Sequence, residues 1–353
     1  MEEKSNTKKN QADLWERLKK SSFPPAAVAG AFASFASAAL GGQPKPSADR
    51  VDSGLVQIGL AGSKTAPEPV RGSLEFEYFQ SSALQGKFHR SVSGIAIGPG
   101  DRIFVLADGE VKIFGPDGSA VRNWKAPEHA SCIAVGRDDR IYLGVAGRVE
   151  IFDGTGNHKQ GFEAGESGRP ASITAIKATA KEILVADAAA RYIRRYDFGG
   201  KQVGEIGTQN KTRGFMLPNR SLDFDIDPKG TVLATDSGRH RVSSWTFEGA
   251  PVRHFGKFGL VNPEDFVGCC NPVNLAFSPD GKIVTAEKVI PRVKVYDPTG
   301  KLLALIGPES FDSKCIHLHL AIDSKGRILV ADPVRLEIKI FSALVKSGGH
   351  ASV

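Results

Sequence analysis

The sequence lacks the short motifs by which many enzymes are recognised. It has no glycine-rich phosphate loop, no Gly-x-Ser-x-Gly nucleophile elbow and no His-Glu-x-x-His zinc motif. Its four cysteines include no Cys-x-x-Cys pair, the spacing expected of common zinc sites. These absences exclude the most familiar nucleotide-binding, serine-hydrolase and zinc-protease chemistries, so function has to be argued from the fold and from less common residue groups.

Concentrated positive charge is also missing. The formal net charge is +7, and residues 1–50 hold eight Lys or Arg against five Asp or Glu. The remainder therefore carries about +4, and no basic run interleaved with aromatic residues occurs in it. We expect no nucleic-acid partner, because binding to phosphate backbones needs a dense basic surface.

The only long run of weakly apolar residues lies near the N-terminus. Residues 23–42 are mostly Ala, Gly, Ser and Phe, and they follow a polar segment that ends in Lys19 and Lys20. This order predicts an export signal in residues 1–42 and a periplasmic or extracellular protein. A retained membrane anchor and a disordered leader on a cytoplasmic protein are the alternatives, and an uncleaved segment would be the only membrane contact. Residues 43–72, rich in Pro, Gly and Ser, are expected to form a flexible linker.

What the rest of the chain does contain is a repeat. Residues 222–256 have the pattern of four short strands separated by turns at Asp-Pro-Lys-Gly, Asp-Ser-Gly and Glu-Gly. A single four-stranded meander cannot bury an apolar face alone, and related strand–turn–strand segments recur five more times. The aligned apolar positions, 38 to 51 residues apart, are Ile95, Ile133, Ala175, Phe224, Leu275 and Leu320.

Six repeats of four strands predict an all-β fold, a six-bladed β-propeller of antiparallel blades over residues 73–345. The sixth repeat is one strand short, since only a Gly- and Ser-rich tail, residues 346–353, follows it. Residues 74–79 are apolar and alternating, and we expect them to pair with residues 336–341 as an N-terminal strand that closes the ring.

Residues 232–256, VLATDSGRHRVSSWTFEGAPVRHFG, resemble the NHL repeat of six-bladed propellers. The resemblance extends over about residues 74–341 and is strongest in the fourth repeat. It implies the propeller fold and a binding role, because many NHL proteins bind protein or RNA. Related propellers include lactonases and a metal-dependent lyase, so the resemblance alone does not choose a function.

Two columns of residues are expected to meet on the upper face of the propeller, defined as the face where the first strand of each blade begins. The first column is acidic, and either its carboxylates hold a metal or each binds backbone amides of its own turn. An acid in nearly every blade favours the amide role. The column comprises Asp108, Asp187, Asp236, Glu287 and Asp332, with Ala146 in the second blade.

The second column precedes each aligned apolar residue, so by strand alternation it faces the opposite way. Its small and polar members are expected to border the central channel or the seams between blades near the channel mouth. Within the two columns, Asp223, Asn274 and Glu287 are our candidate ligand-binding residues. The second column comprises Gly94, Cys132, Thr174, Asp223, Asn274 and His319.

The least common residue group lies where the chain enters the fifth and sixth blades. Cys269 and Cys270 precede the fifth, and Cys315, His317 and His319 precede or begin the sixth. In an extended strand the last three would point to one side, and adjacent blades could bring them to the cysteine pair. Thiolates with imidazoles suit a transition metal such as Zn, Cu or Fe. A disulfide, vicinal or to Cys315, and inert packing are the alternatives.

Insertions before the fourth blade, at 208–220, and before the fifth, at 257–271, enlarge the upper face. Long loops on one rim of a rigid scaffold are common ligand sites. The sequence therefore favours an exported binding or scaffold module that takes a protein or a small molecule at its upper rim. The alternative is a metal-binding or redox protein, with or without enzyme activity, centred on the Cys and His residues.

Overall fold

A computed structural model describes residues 74–210 and 212–344. The expected export segment (1–42), linker (43–72) and tail (346–353) lie outside these residues. Within the described ranges, no helix is long and apolar enough to cross a membrane.

The chain forms six four-stranded antiparallel sheets. The first strand of each sheet contacts the first strands of the two neighbouring sheets, and the sixth contacts the first, so the sheets surround a central channel. The prediction of an all-β, six-bladed propeller is confirmed.

After β1 (Glu77–Leu84), blades one to three run outward from the channel in chain order. Blade one comprises β2 (Val92–Ile97), β3 (Ile103–Ala107), β4 (Glu110–Phe114) and β5 (Ala120–Lys125). Blade two comprises β6 (Ala130–Val135), β7 (Ile141–Val145), β8 (Arg148–Phe152) and β9 (His158–Glu163), and it is followed by a short strand pair, β10 (Gly165–Glu166) and β11 (Arg169–Pro170). Blade three comprises β12 (Ile173–Ala178), β13 (Ile183–Asp187), β14 (Tyr192–Tyr196) and β15 (Gln202–Ile206).

Blades four to six follow the same order, and three single-turn 3₁₀ helices lie at Pro99–Asp101, Ser237–Arg239 and Pro308–Ser310. Blade four comprises β16 (Phe224–Ile226), β17 (Val232–Asp236), β18 (Arg241–Trp245) and β19 (Pro251–Phe255); blade five comprises β20 (Asn274–Phe277), β21 (Ile283–Glu287), β22 (Arg292–Tyr296) and β23 (Leu302–Ile306); blade six comprises β24 (His319–Ile322), β25 (Ile328–Asp332) and β26 (Glu337–Leu344).

The ring closes through β1, which pairs antiparallel with β26 and supplies the outer strand of blade six. Closure by an N-terminal strand is therefore confirmed, but the strand begins and ends later than the expected residues 74–79. The reason is Leu84, the only fully buried residue of β1, which packs with Ile338 and Ile340 between blades six and one. The predicted range, which ends at Phe79, does not include this buried leucine.

The core is divided among the seams between blades, and each of the six seams holds one apolar cluster. Apolar side chains on the facing sides of adjacent sheets form these clusters, because both faces of an inner sheet are covered in a propeller. In the seam between blades two and three, the rings of Phe162 and Tyr196 lie 5.1 Å apart.

Glycine is required where the turn between the third and fourth strands meets the preceding blade. Gly200 has φ +84°, and a Cβ added to it would lie 2.5 Å from Phe162; Gly300 has φ +97°, and its Cβ would lie 2.5 Å from Phe255. Both conditions, the left-handed backbone and the close approach, exclude other residues. The contact fixes the outer parts of neighbouring blades against each other.

Candidate functional site

The channel contains a partly open cavity, whose space, open solvent included, is about 450 Å³. All six members of the second column line it, as strand alternation predicted. Lys177 from blade three joins them and brings a positive charge to the wall. The column members lining the cavity are Gly94, Cys132, Thr174, Asp223, Asn274 and His319.

Three of these polar side chains tie adjacent blades together. Asp223 Oδ2 accepts a 2.8 Å hydrogen bond from the backbone N–H of Leu275 in the next blade. Asn274 Oδ1 accepts a 2.9 Å bond from the N–H of Leu320 one blade further. In blade three, Thr174 donates to the carbonyl of Leu222 at 2.6 Å. The column thus satisfies backbone groups of the neighbouring inner strand, which have no strand partner on the channel side.

Asp223 has an unusual proton affinity. Burial raises the pKa of its carboxyl to about 7, against the opposing charge of Lys177. The ammonium of Lys177 lies 3.0 Å from Asp225 rather than on Asp223. Around neutral pH, Asp223 therefore exchanges between the acid and the carboxylate, and the charge on the cavity wall changes with it.

His317 and His319 lie side by side, with ring centroids 4.5 Å apart. Burial, followed by the nearby charge of Lys288, lowers the pKa of His317 to about 4. Burial also holds the pKa of His319 well below its ordinary value of 6.5, and His317 adds to the effect. Both imidazoles are therefore neutral at physiological pH.

The proposed Cys and His cluster is not assembled. Cys269 and Cys270 are in contact, with sulfurs 3.1 Å apart. Cys315 instead lies in the apolar seam between blades five and six, and its thiol donates to the carbonyl of His317 at 3.5 Å. All four cysteines are free. Within residues 74–210 and 212–344, no three His, Cys, Asp or Glu side chains are grouped so that they could hold a metal ion.

The physical reason lies in the local backbone. The side-chain alternation assumed for residues 315–319 requires a strand, but β24 begins only at His319. Cys315 N–H instead donates to the carbonyl of Asp312 in a turn. Its side chain therefore turns into the core while His319 faces the channel.

The carboxylates of the acidic column bind backbone amides, as an acid in nearly every blade led us to expect. Each carboxylate accepts hydrogen bonds from backbone N–H groups, and Asp187 and Asp332 do so within their own turns. What local reasoning missed is a second set of donors, which lies 15 to 20 residues earlier in the loop that enters the same blade. These donors are His89, Arg90 and Ser91 for Asp108, Ser172 for Asp187, Met216 for Asp236, Val267 for Glu287 and Asp312 for Asp332.

Glu287 does not lie with the other two candidate ligand residues. It is fully buried outside the cavity lining, 2.9 Å from Arg292 Nε and 2.6 Å from Lys294 Nζ. Lys294 is fully buried too, and its burial lowers the pKa of the ammonium to about 8 in spite of Glu287. Glu287 therefore holds the entry loop of blade five and a buried cation, and it has no free oxygen facing the channel.

A feature that motif searching missed lies on the upper rim of blades four to six. Six large apolar side chains are exposed there, in entry loops or in turns between second and third strands. Apolar residues inside long polar loops were the available sequence signal. These side chains, the apolar rim, are Met216 (43% exposed), Phe258 (37%), Val261 (72%), Val289 (38%), Ile316 (74%) and Val334 (45%).

The rim loops of blades four and five are fixed to one another. The ring of His240 in blade four lies 5.1 Å from that of Phe258, and its Nε2 is 2.7 Å from the carbonyl oxygen of Gly268. Gly268 in turn approaches Val289. Because these loops contact one another, the rim side chains of blades four and five are presented in a defined arrangement.

The charge around the apolar rim is mainly positive. Among the exposed residues of these loops, five are basic and two, Glu264 and Glu309, are acidic. A partner with apolar side chains flanked by carboxylates would match this pattern. The exposed basic residues are Arg213, Arg220, Lys257, Lys314 and Arg335.

No protein-family profile matches the sequence, and no curated protein matches it significantly. Solved structures do match. The WD40 β-propeller domain of Doa1 is 14% identical with a TM-score of 0.53, over 76% of this chain and 98% of that one. A chain of a mitotic checkpoint complex is 12% identical with a TM-score of 0.54, over 82% and 99%.

Streptogramin B lyase is 10% identical with a TM-score of 0.53, over 76% of this chain and 98% of that one. At such identities the similarity shows the fold and not the activity. The chain is a six-bladed β-propeller.

Proposed function

We propose that the chain is a rigid binding module that docks a partner protein on the upper rim of blades four to six. The observation that carries the proposal is the apolar rim: six exposed large apolar side chains on one face, in loops from three consecutive blades. Exposed large apolar side chains that collect on one face among polar residues are typical of protein interaction sites.

The excess of exposed basic over acidic residues in the same loops indicates an acidic partner segment with apolar anchors. The anchored loops favour this role, since a surface that is ordered before binding loses less entropy on association. A WD40 domain and a checkpoint-complex chain are among the similar structures, and they are consistent with a protein-binding propeller.

The proposal extends to family and compartment. We place the propeller with the NHL-type proteins on the strength of residues 232–256, and we propose that residues 1–42 direct export. Mass spectrometry of the protein from its native cells tests the second point. Loss of the N-terminal segment would support export, whereas an intact soluble chain that starts at Met1 would contradict it.

The binding proposal is tested by selecting displayed peptides that combine acidic and apolar residues on the full chain. The variants Val261→Lys and Ile316→Lys should weaken binding of the selected peptides at least tenfold, because each replaces one of the two most exposed apolar side chains of the rim with a charge. Val121→Lys and Val252→Lys are matched controls, since these valines are exposed at 58% and 55% on the outer strands β5 and β19. Equal loss in all four variants, or none in the rim variants, would refute the rim as the site.

A further inference from the structure

Cys269 and Cys270 differ from the other two cysteines in their access to solvent. Cys269 is exposed, whereas Cys270 is 3% exposed and lies directly behind it, with the two sulfurs 3.1 Å apart. Cys132 is buried among apolar side chains between blades two and three, and Cys315 between blades five and six. A small molecule in solution can therefore reach one thiol, and the next thiol is in contact with the first.

The loop around the pair is held from both sides. The N–H of Val267 donates to Glu287, and the side-chain amide of Asn271 bonds both the N–H and the carbonyl of Lys288, each at 2.9 Å. The carbonyl of Gly268 is bonded by His240. These contacts fix the backbone on either side of the two cysteines, so their sulfurs stay together.

We propose that Cys269 and Cys270 form a redox-active dithiol site whose co-reactant is a low-molecular-weight disulfide. In the first step, the Cys269 thiolate attacks one sulfur of the disulfide. A mixed disulfide forms on Cys269, and one small thiol leaves after taking up a proton. In the second step, Cys270 loses its proton and attacks the Cys269 sulfur. The Cys269–Cys270 bond forms, and the second small thiol leaves. Two electrons pass from the protein to the small disulfide, which ends as two thiols.

The geometry makes this pair reversible rather than a permanent staple. Neighbouring Cα atoms are about 3.8 Å apart, less than the usual ~4.4–6.8 Å of a disulfide, and bonds outside that range are more easily reduced. The sulfurs need to approach by only about 1 Å to reach the bond length of ~2.05 Å. Burial raises the pKa of Cys270 to about 11, and the neighbouring Lys288 opposes that effect, so the exposed Cys269 attacks first.

The proposal is independent of the rim as a binding surface, and it is tested on the full chain with oxidised glutathione. Two of the four thiols should be lost, the intact mass should fall by two hydrogens, and peptide mapping should place the link between residues 269 and 270. Cys315→Ser should react in the same way, since its thiol lies elsewhere in the core.

Single-cysteine variants separate the two steps. Cys270→Ser should stop at a stable glutathione adduct on Cys269, and Cys269→Ser should show no adduct and no loss of thiols. Phenylarsine oxide, which chelates paired thiols, should bind the reduced wild-type protein and neither variant. A wild-type protein that keeps all four thiols, or one that accumulates the glutathione adduct, would overturn the proposal.

Discussion

The carboxylate of Asp223 accepts a hydrogen bond from the backbone N–H of Leu275, 52 residues later and one blade further around the ring. Asn274 makes the equivalent bond to Leu320 in the following blade. The two side chains have the same shape, and each accepts the hydrogen bond through a side-chain oxygen, but only the Asp can carry a charge. This pair allows the cost of a buried charge to be measured with little change in structure.

Asp223→Asn should stabilise the protein at about pH 8 and have little effect near pH 4. The folded protein keeps a proton on Asp223 up to about pH 7, whereas the ordinary pKa is 3.8. Between these values the folded state binds more protons, so its stability falls as pH rises. The gain should be a few kcal/mol at most, at about 1.4 kcal/mol for each pKa unit. Urea denaturation at the two pH values measures it.

Asn274→Asp is the reverse control, and it should destabilise the protein at about pH 8 and not near pH 4. If Asp223→Asn loses the same stability at both pH values, the hydrogen bond of Asp223, and not its charge, determines the contribution of this residue to stability.

Glu287→Gln should destabilise the fold by about 3–5 kcal/mol, because it leaves the buried ammonium of Lys294 without its counter-charge. The double variant Glu287→Gln, Lys294→Met should recover much of that loss. Asp280→Asn is the exposed control: its partner is Lys282, and its loss should cost less than about 1 kcal/mol. Thermal and urea unfolding of the four proteins measure these differences, and equal effects at positions 280 and 287 would contradict the prediction.

Removal of residues 1–73 should leave a folded propeller, whereas removal through Leu84 should not. The second deletion takes away β1, exposes the edge of β26 and opens the seam that Leu84 fills. Circular dichroism and light scattering should show native β-structure for the first protein and aggregation for the second. Similar behaviour of the two truncations would mean that β1 does not close the ring.

Gly300→Ala should cost more than Gly230→Ala, although both glycines have positive φ, +97° and +86°. An added Cβ at Gly300 meets the ring of Phe255 at 2.5 Å, whereas at Gly230 nothing lies within 4 Å. Placing Ala in a backbone conformation with positive φ costs about 1 kcal/mol at both positions, and overpacking adds about 1–3 kcal/mol at Gly300. Urea denaturation gives the difference, and equal losses would show that Phe255 moves aside freely.

Much of this architecture could be predicted from the sequence, because in a propeller each blade repeats the same alternation. That alternation placed Asp223 and Asn274 on the channel wall. It failed at Cys315, which belongs to a turn and not to a strand, so its side chain faces the core. The hairpin register pairs Glu287 with Arg292, and this pairing was a local signal for a structural ion pair that the sequence analysis did not use.

The other features that the sequence did not predict have a common cause. The second set of N–H groups that bind the acidic column comes from loops 15 to 20 residues earlier, and no local pattern links a turn to such a distant loop. The apolar rim is likewise assembled from three blades, and its members are unremarkable until the ring brings their loops to one face.

The pairing of β1 with β26 also determines the order in which the protein can mature. Ser81 donates to the carbonyl of Ile340, a separation of 259 residues, so blade six is completed only after the ribosome has made every blade between them. Contacts so distant in sequence are slow to form. Until then β1, the first strand of the described residues, has to wait without a partner. Four of its eight residues are polar or charged and a fifth is Ala, in the sequence EYFQSSAL. This composition suits a strand that stays soluble during synthesis.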